Sequence, residues 1–169
     1  NMTVIGKGLE RLSDMINKFS RSLVLIIMVA MVFVISLQVF CRYVLNSALI
    51  WPEELTIFLL SWMTFIGAAI ALRSWEHIGI DFFVRGLSSN LRKAVNIVVR
   101  LSVLLFVVFL LVTGINLVTS SNNMISEALR ISLVWPRLSV PVGASFMLIH
   151  VIYLTYRDIY NLTNKKGDL

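Results

Sequence analysis

The sequence predicts an all-α integral membrane protein with four transmembrane helices. Three observations carry that expectation. Of 169 residues, 58% are hydrophobic and only 14% charged, and the mean hydropathy is +0.87, a balance that suits lipid as the main solvent. The charged residues are placed so that four long runs contain none. No segments show the in-out alternation of a membrane β-barrel, which leaves helices as the way to satisfy backbone polar groups in hydrocarbon.

The spans follow from the charges that bracket them. Arg21 and Arg42 enclose 22–41, Glu54 and Arg73 enclose 55–72, Arg100 and Glu127 enclose 101–126, and Arg137 and Arg157 enclose 138–156. About 20 apolar residues, range 17–25, cross a hydrocarbon core. The third run, roughly 39 Å long at 1.5 Å per residue, must tilt or leave the bilayer before its end. The chain reads as one membrane domain over 1–169: a surface helix at 5–20, a four-helix region at 22–156 and a cytoplasmic tail at 157–169.

Ahead of the first span, Ile5, Leu9, Leu12, Ile16 and Phe19 recur at helical spacing, with Lys7, Glu10, Arg11, Asp14 and Lys18 between them. This predicts an amphipathic helix, lying flat on the membrane or packed on a partner's cytoplasmic loops. Cys41 ends the first span behind bulky Val39 and Phe40, so it reads as a small hydrophobe near the interface and not as a lipidation site. Asn1 ahead of Met2 reads as an added residue.

The second span opens on Trp51-Pro52-Glu53-Glu54 and the fourth on Trp135-Pro136. Indole favours the interface, proline at the first helical position loses no hydrogen bond, and carboxylates suit a helix N-terminus. A Glu54–Arg42 pair is expected to tie spans one and two together, with Glu53 left as an outward contact. Further along span two, Ser61, Thr64, Ala68 and Ala71 recur at spacings of three and four beside Gly67 and Ala69. Such a small-residue face lets another helix approach closely, whether from this chain or from a partner.

Residues 73–100 form a longer amphipathic cytoplasmic connection that carries Arg73, Glu76, His77, Asp81 and Arg85, with Ser89-Asn90 capping a helix from near Leu91. Twelve of the fifteen basic residues fall on the side of the two termini and three on the other, which places both termini in the cytoplasm. The net charge of +6 is then the positive-inside signal plus attraction to anionic phospholipid, and it requires no nucleic acid.

Within the spans no Asp, Glu, Lys or Arg occurs, and no pair of broken helices faces another. An ion or substrate site in the membrane normally needs such groups, so neither catalysis, a cofactor nor a metal is expected here. His150 reads as a histidine hydrogen-bonded within the bundle; a bis-histidine haem would need a second one in a span, and His77 lies in a loop. Two other classes stay open on the residues: a membrane anchor of a redox enzyme and a small homodimeric exporter.

The stretch RYVLNSALIWPEEL, followed by a span ending GAAIALRSWEHIGID, resembles the DctQ-type small membrane subunit of tripartite ATP-independent periplasmic (TRAP) transporters. The positions carrying the likeness are Arg42, Tyr43, Trp51, Glu53 and Glu54, then Gly67, Ala68 and Arg73, then Glu76, His77 and Asp81. Pro52 departs from the pattern, and the second half matches in hydropathy only. The resemblance implies a non-catalytic inner-membrane subunit that scaffolds a large multi-span transport subunit and takes part in docking a periplasmic substrate-binding protein. It implies sodium-coupled import of an organic acid, sialic acid ahead of C4-dicarboxylates. The polar end NKKGDL points to a large subunit on a separate polypeptide.

Overall fold

The structure, a computed structural model, describes residues 4–74 and 89–164. It comprises α1 (Val4–Tyr43), α2 (Trp51–Ser74), α3 (Ser89–Thr119), the single-turn α4 (Val134–Arg137) and α5 (Ser139–Asn164). Four stretches are long and apolar enough to cross a membrane: Gly8–Tyr43, Trp51–Ser74, Val98–Thr119 and Val134–Arg157. The last helix is the centre of the bundle. α5 packs on α2 and α3, while α1 packs on α2 and more lightly on α5. Accordingly 39% of the last span's apolar window is buried, against 11% for the first and third and 17% for the second.

α1 joins the expected surface helix and the first span into one element. It holds 40 residues, so it is about 60 Å long, roughly twice a hydrocarbon core. Neither proline nor glycine occurs between Leu9 and Tyr43, so nothing in the sequence stops the helix at the membrane threshold. Its buried positions are Gly6, Ser13, Ser20, Ile27, Val34 and Cys41, each seven residues from the next. A seven-residue repeat keeps one line of a helix against its neighbours in left-handed packing. Cys41 is a buried free thiol in that line. The apolar face expected at 5–20 is therefore split: Leu9 and Ile16 are half-buried, while Leu12 and Phe19 face outward. The small residues, not the large ones, meet the bundle.

Two glycines set the helix separations around α5. A Cβ at Gly143 would fall 2.6 Å from the Phe65 Cβ and 2.9 Å from the Phe65 carbonyl carbon and oxygen, so α5 meets the α2 backbone itself. At Gly114 a Cβ would lie 2.9 Å from Val140 Cγ1 and 3.0 Å from the Pro141 nitrogen, bringing α3 equally close to the start of α5. Ala69, Val107 and Met147 form the buried apolar cluster between α2, α3 and α5.

The third span ends at Thr119, seven residues before the expected 126. The run to Ser126 is uncharged but not apolar. Thr119 and Ser120 hydroxyls donate to the Asn116 carbonyl at 2.9 and 2.8 Å, and Ser121 N–H donates to the Val118 carbonyl at 3.0 Å, so local bonds replace the helical ladder. The segment beyond folds back on itself through Ser126 N–H to Ile131 O at 2.8 Å and Leu133 N–H to Met124 O at 3.0 Å, with Arg130 at φ 55. Trp135-Pro136 lies in α4, one turn ahead of α5, with Pro136 buried and Trp135 63% exposed. Only Leu138 separates the two helices, and Pro141 stands in the first turn of α5, where its missing N–H costs nothing.

Candidate functional site

Two polar clusters, one at each end of the bundle, and one bare helix face carry the functional content. At the inner end, Arg73 in the last turn of α2 reaches α1, donating to Asp14 Oδ1 and to Ser13 Oγ. Its guanidinium also lies 5.6 Å from the ring centre of Tyr153 on α5, a cation–π contact. Ser13 Oγ is 2.8 Å from His150 Nδ1. The Ser13 oxygen, accepting from Arg73, thus links that guanidinium to the His150 ring through one hydroxyl. His150 and Ser13 are fully buried. His150 Nε2 and Ser20 Oγ are buried polar atoms with no partner among the described residues. Arg100 adds a tie from α3, donating to the Leu154 carbonyl at 3.0 Å.

The bundle-histidine reading of His150 thus stands, with a serine of α1 as the partner. Ser13, Asp14 and Tyr153 were not among the residues singled out. The signal that finds Ser13 is the seven-residue line of small residues running into Ile27, Val34 and Cys41. Glu76, His77 and Asp81 lie outside the described residues.

At the outer end the expected Glu54–Arg42 pair does not form. Glu54 Oε2 instead accepts the backbone N–H groups of Ala128 at 2.9 Å and Leu129 at 2.8 Å. Two convergent N–H dipoles on one oxygen make a better-defined partner than a long exposed arginine, and Arg42 faces outward. Arg73, at the other end of α2, is an arginine that does pair with an acid, Asp14. Glu54 thereby fixes the 127–129 segment over the start of α2. Beside it an open cavity of about 820 Å³ is lined by Glu53, Glu54 and Glu127, with Leu49, Ile50 and Ile57 as its apolar part. Trp51 is half-buried at its edge and Tyr43 is 74% exposed. Arg137 steadies the same end from α4, donating to Ser121 Oγ.

Between the two clusters, α2 presents opposite faces of opposite character. Pro52, Ile66 and Ala69 are buried. Glu53, Ile57, Leu60, Thr64, Ala68 and Ala71 are exposed. The small-residue face therefore points away from the chain's own bundle. Ser61 is half-buried on its flank, and a Cβ added at Gly67 would meet nothing within 4 Å. Ser61 and Thr64 hydroxyls donate to their own helix, to Ile57 O at 3.1 Å and Leu60 O at 2.8 Å, so the face offers contact area without an unsatisfied donor.

Among the described residues no group of three His, Cys, Asp or Glu is placed to hold a metal ion. The fold and these clusters define a small multi-pass membrane protein whose polar groups lock helices together. The model of the DctQ component of tripartite ATP-independent periplasmic transporters matches residues 31–161, and the chain belongs to that family. It is 30% identical over 156 residues to the sialic acid TRAP transporter small permease protein SiaQ of Vibrio cholerae, covering 91% of this chain and 87% of that one. The sialic acid TRAP transporter permease protein SiaT of Haemophilus influenzae is 30% identical over 137 residues, 81% of this chain and 22% of that protein. A third relative, the C4-dicarboxylate TRAP transporter small permease protein DctQ of Vibrio cholerae, is 30% identical over 107 residues, 63% of this chain and 46% of its own length. The family consists of transporter subunits and not enzymes, and the redox-anchor and exporter alternatives give way to it.

Proposed function

We propose that this chain is the small subunit of a sodium-coupled, binding-protein-dependent importer of an organic acid, and that it scaffolds a large multi-span subunit through the outward face of α2. The bare small-residue face carries the reading. A bundle that buries Ile66 and Ala69 inside while leaving Thr64, Ala68 and Ala71 outside keeps a surface suited to a second helix, not to lipid. The match to part of a longer permease supports a close association with a larger membrane partner. Sialic acid is favoured over C4-dicarboxylates because the SiaQ match runs nearly the full length of both chains, whereas the DctQ match covers less than half of that relative. Both termini are cytoplasmic in this reading, and the outer groove between Glu53 and Glu127 faces the periplasmic binding protein.

The test is co-purification of the tagged chain with a co-expressed large TRAP permease subunit. Gly67→Leu and Ala68→Leu leave the isolated chain as stable as wild type and abolish recovery of the large subunit. Undiminished recovery with both substitutions overturns the assignment of the face. Uptake of labelled sialic acid by cells expressing all three components checks the substrate.

A further inference from the structure

The outward face of α1 differs in kind from that of α2. Over the span it is bulky, with Val29 59% and Phe33 69% exposed. The same line continues below the span, where Met15 is 69% and Phe19 60% exposed; exposed Lys18 stands beside it, and exposed Arg21 one step further round the helix. Of the acids of this stretch, Asp14 bonds Arg73 while its side chain stays half-exposed, and Glu10 is half-buried. The face therefore passes from wholly apolar to basic-and-apolar without interruption. Bulky apolar side chains suit acyl chains, and a basic band at their end suits an anionic headgroup.

Position along the helix decides which bases count. Arg21 abuts the first uncharged residue, Ser22, and Lys18 lies about 4.5 Å below Arg21 on the neighbouring turn. Both fall at headgroup level, since each headgroup layer is roughly 5–7 Å thick. Arg11 is about 15 Å below Arg21 and thus beyond that layer. Arg21 Nε contacts Asn17 Oδ1 at 3.5 Å on the preceding turn.

We propose that Lys18 and Arg21, with Met15 and Phe19 on the other side of Lys18, seat the phosphate of an anionic phospholipid whose acyl chains run along the outer face of α1. The site belongs to the isolated chain and does not depend on the large subunit.

Native mass spectrometry of the purified full chain, titrated with phosphatidylglycerol or with phosphatidylcholine of the same acyl chains, tests this. Phosphatidylglycerol is retained preferentially. Lys18→Gln and Arg21→Gln each weaken that retention roughly fivefold, while Arg11→Gln changes it less than twofold. Lys18→Arg keeps the preference, and raising the salt removes it in the wild type, a readout that needs no variant to fold. Equal retention of the two lipids, or an Arg11 effect as large as that of Lys18, overturns the site. In the assembled complex a photo-crosslinking residue at position 19 captures phospholipid; capture of a protein there also overturns it.

Discussion

Gly143 and Gly67 sit on facing and outward positions of the same helix pair, and replacing each by alanine separates internal packing from external docking. At Gly143 the new Cβ would stand 2.6 Å from Phe65 Cβ and 2.9 Å from the Phe65 carbonyl carbon and oxygen. Ordinary carbon contacts lie at about 3.5–4.0 Å, so α5 and α2 must part by about 1 Å, and backbone atoms cannot rotate out of the way. A gap of that size forfeits a quarter to a half of each dispersion contact it opens, and overpacking of this kind costs about 1–3 kcal/mol. At Gly67 the Cβ meets nothing within 4 Å. Both substitutions gain the same helix propensity, ~1 kcal/mol, so that contribution cancels in the comparison. Gly143→Ala is therefore less stable than Gly67→Ala by about 1–3 kcal/mol. The assay is reversible unfolding in mixed micelles of rising SDS content, followed by circular dichroism. A Gly143→Ala chain as stable as Gly67→Ala would refute the close approach of α5 to the α2 backbone.

Three more outcomes are expected. Ser13→Ala removes the bond to the buried His150 Nδ1 and lowers stability in the same titration by roughly 0.6–1.7 kcal/mol; an unchanged midpoint argues against the bond. Asp14→Arg and Arg73→Asp each loosen the inner end, and the double exchange restores part of the loss, by no more than about 1 kcal/mol because Asp14 is half-exposed; thermal unfolding of the four chains reads the coupling. Glu54→Gln replaces a charged acceptor and speeds hydrogen exchange at the Ala128 and Leu129 amides, whereas Arg42→Gln leaves both slow; equal effects would restore Arg42 as the partner of Glu54.

The charges made the spans legible, because burying one in hydrocarbon is costly enough to leave clean gaps. What they could not mark was where a helix stops without a charge. α3 ends in Thr119-Ser120-Ser121, whose hydroxyls compete for backbone groups, and a charge count is blind to that. At α1 the change from amphipathic to apolar pattern marks no break in the helix, because no residue there stops one. Glu54 is visible in the sequence as a threshold carboxylate, but its partner is not. Its donors, the amides of Ala128 and Leu129, carry no side-chain signature and lie 74 and 75 residues away. The small-residue stripe of α2 was legible as a surface; which way it faced depended on Gly143, on another helix, claiming the opposite side.

Side-chain size sorts the helix faces by neighbour. Glycine marks the places where this chain meets itself most closely, at Gly6 against Tyr156, Gly114 against Pro141 and Gly143 against Phe65. Bulky side chains line the outer face of α1, and the outward face of α2 is small with no contact of its own. The polar groups follow the same division. Arg73, Asp14, Ser13 and His150 close the inner end, Glu54 and Arg137 the outer end, and between them Ser61, Thr64 and Ser145 each return a hydroxyl to their own helix. Such side chains leave few partners for a solute or ion inside the bundle, while the inner clasp holds α1, α2 and α5 in register and the outer one holds the 127–129 segment over α2. A frame clasped at both ends, with one small-residue face left open, fits the proposed role of positioning another membrane subunit, and that role is what the Gly67→Leu and Ala68→Leu substitutions test.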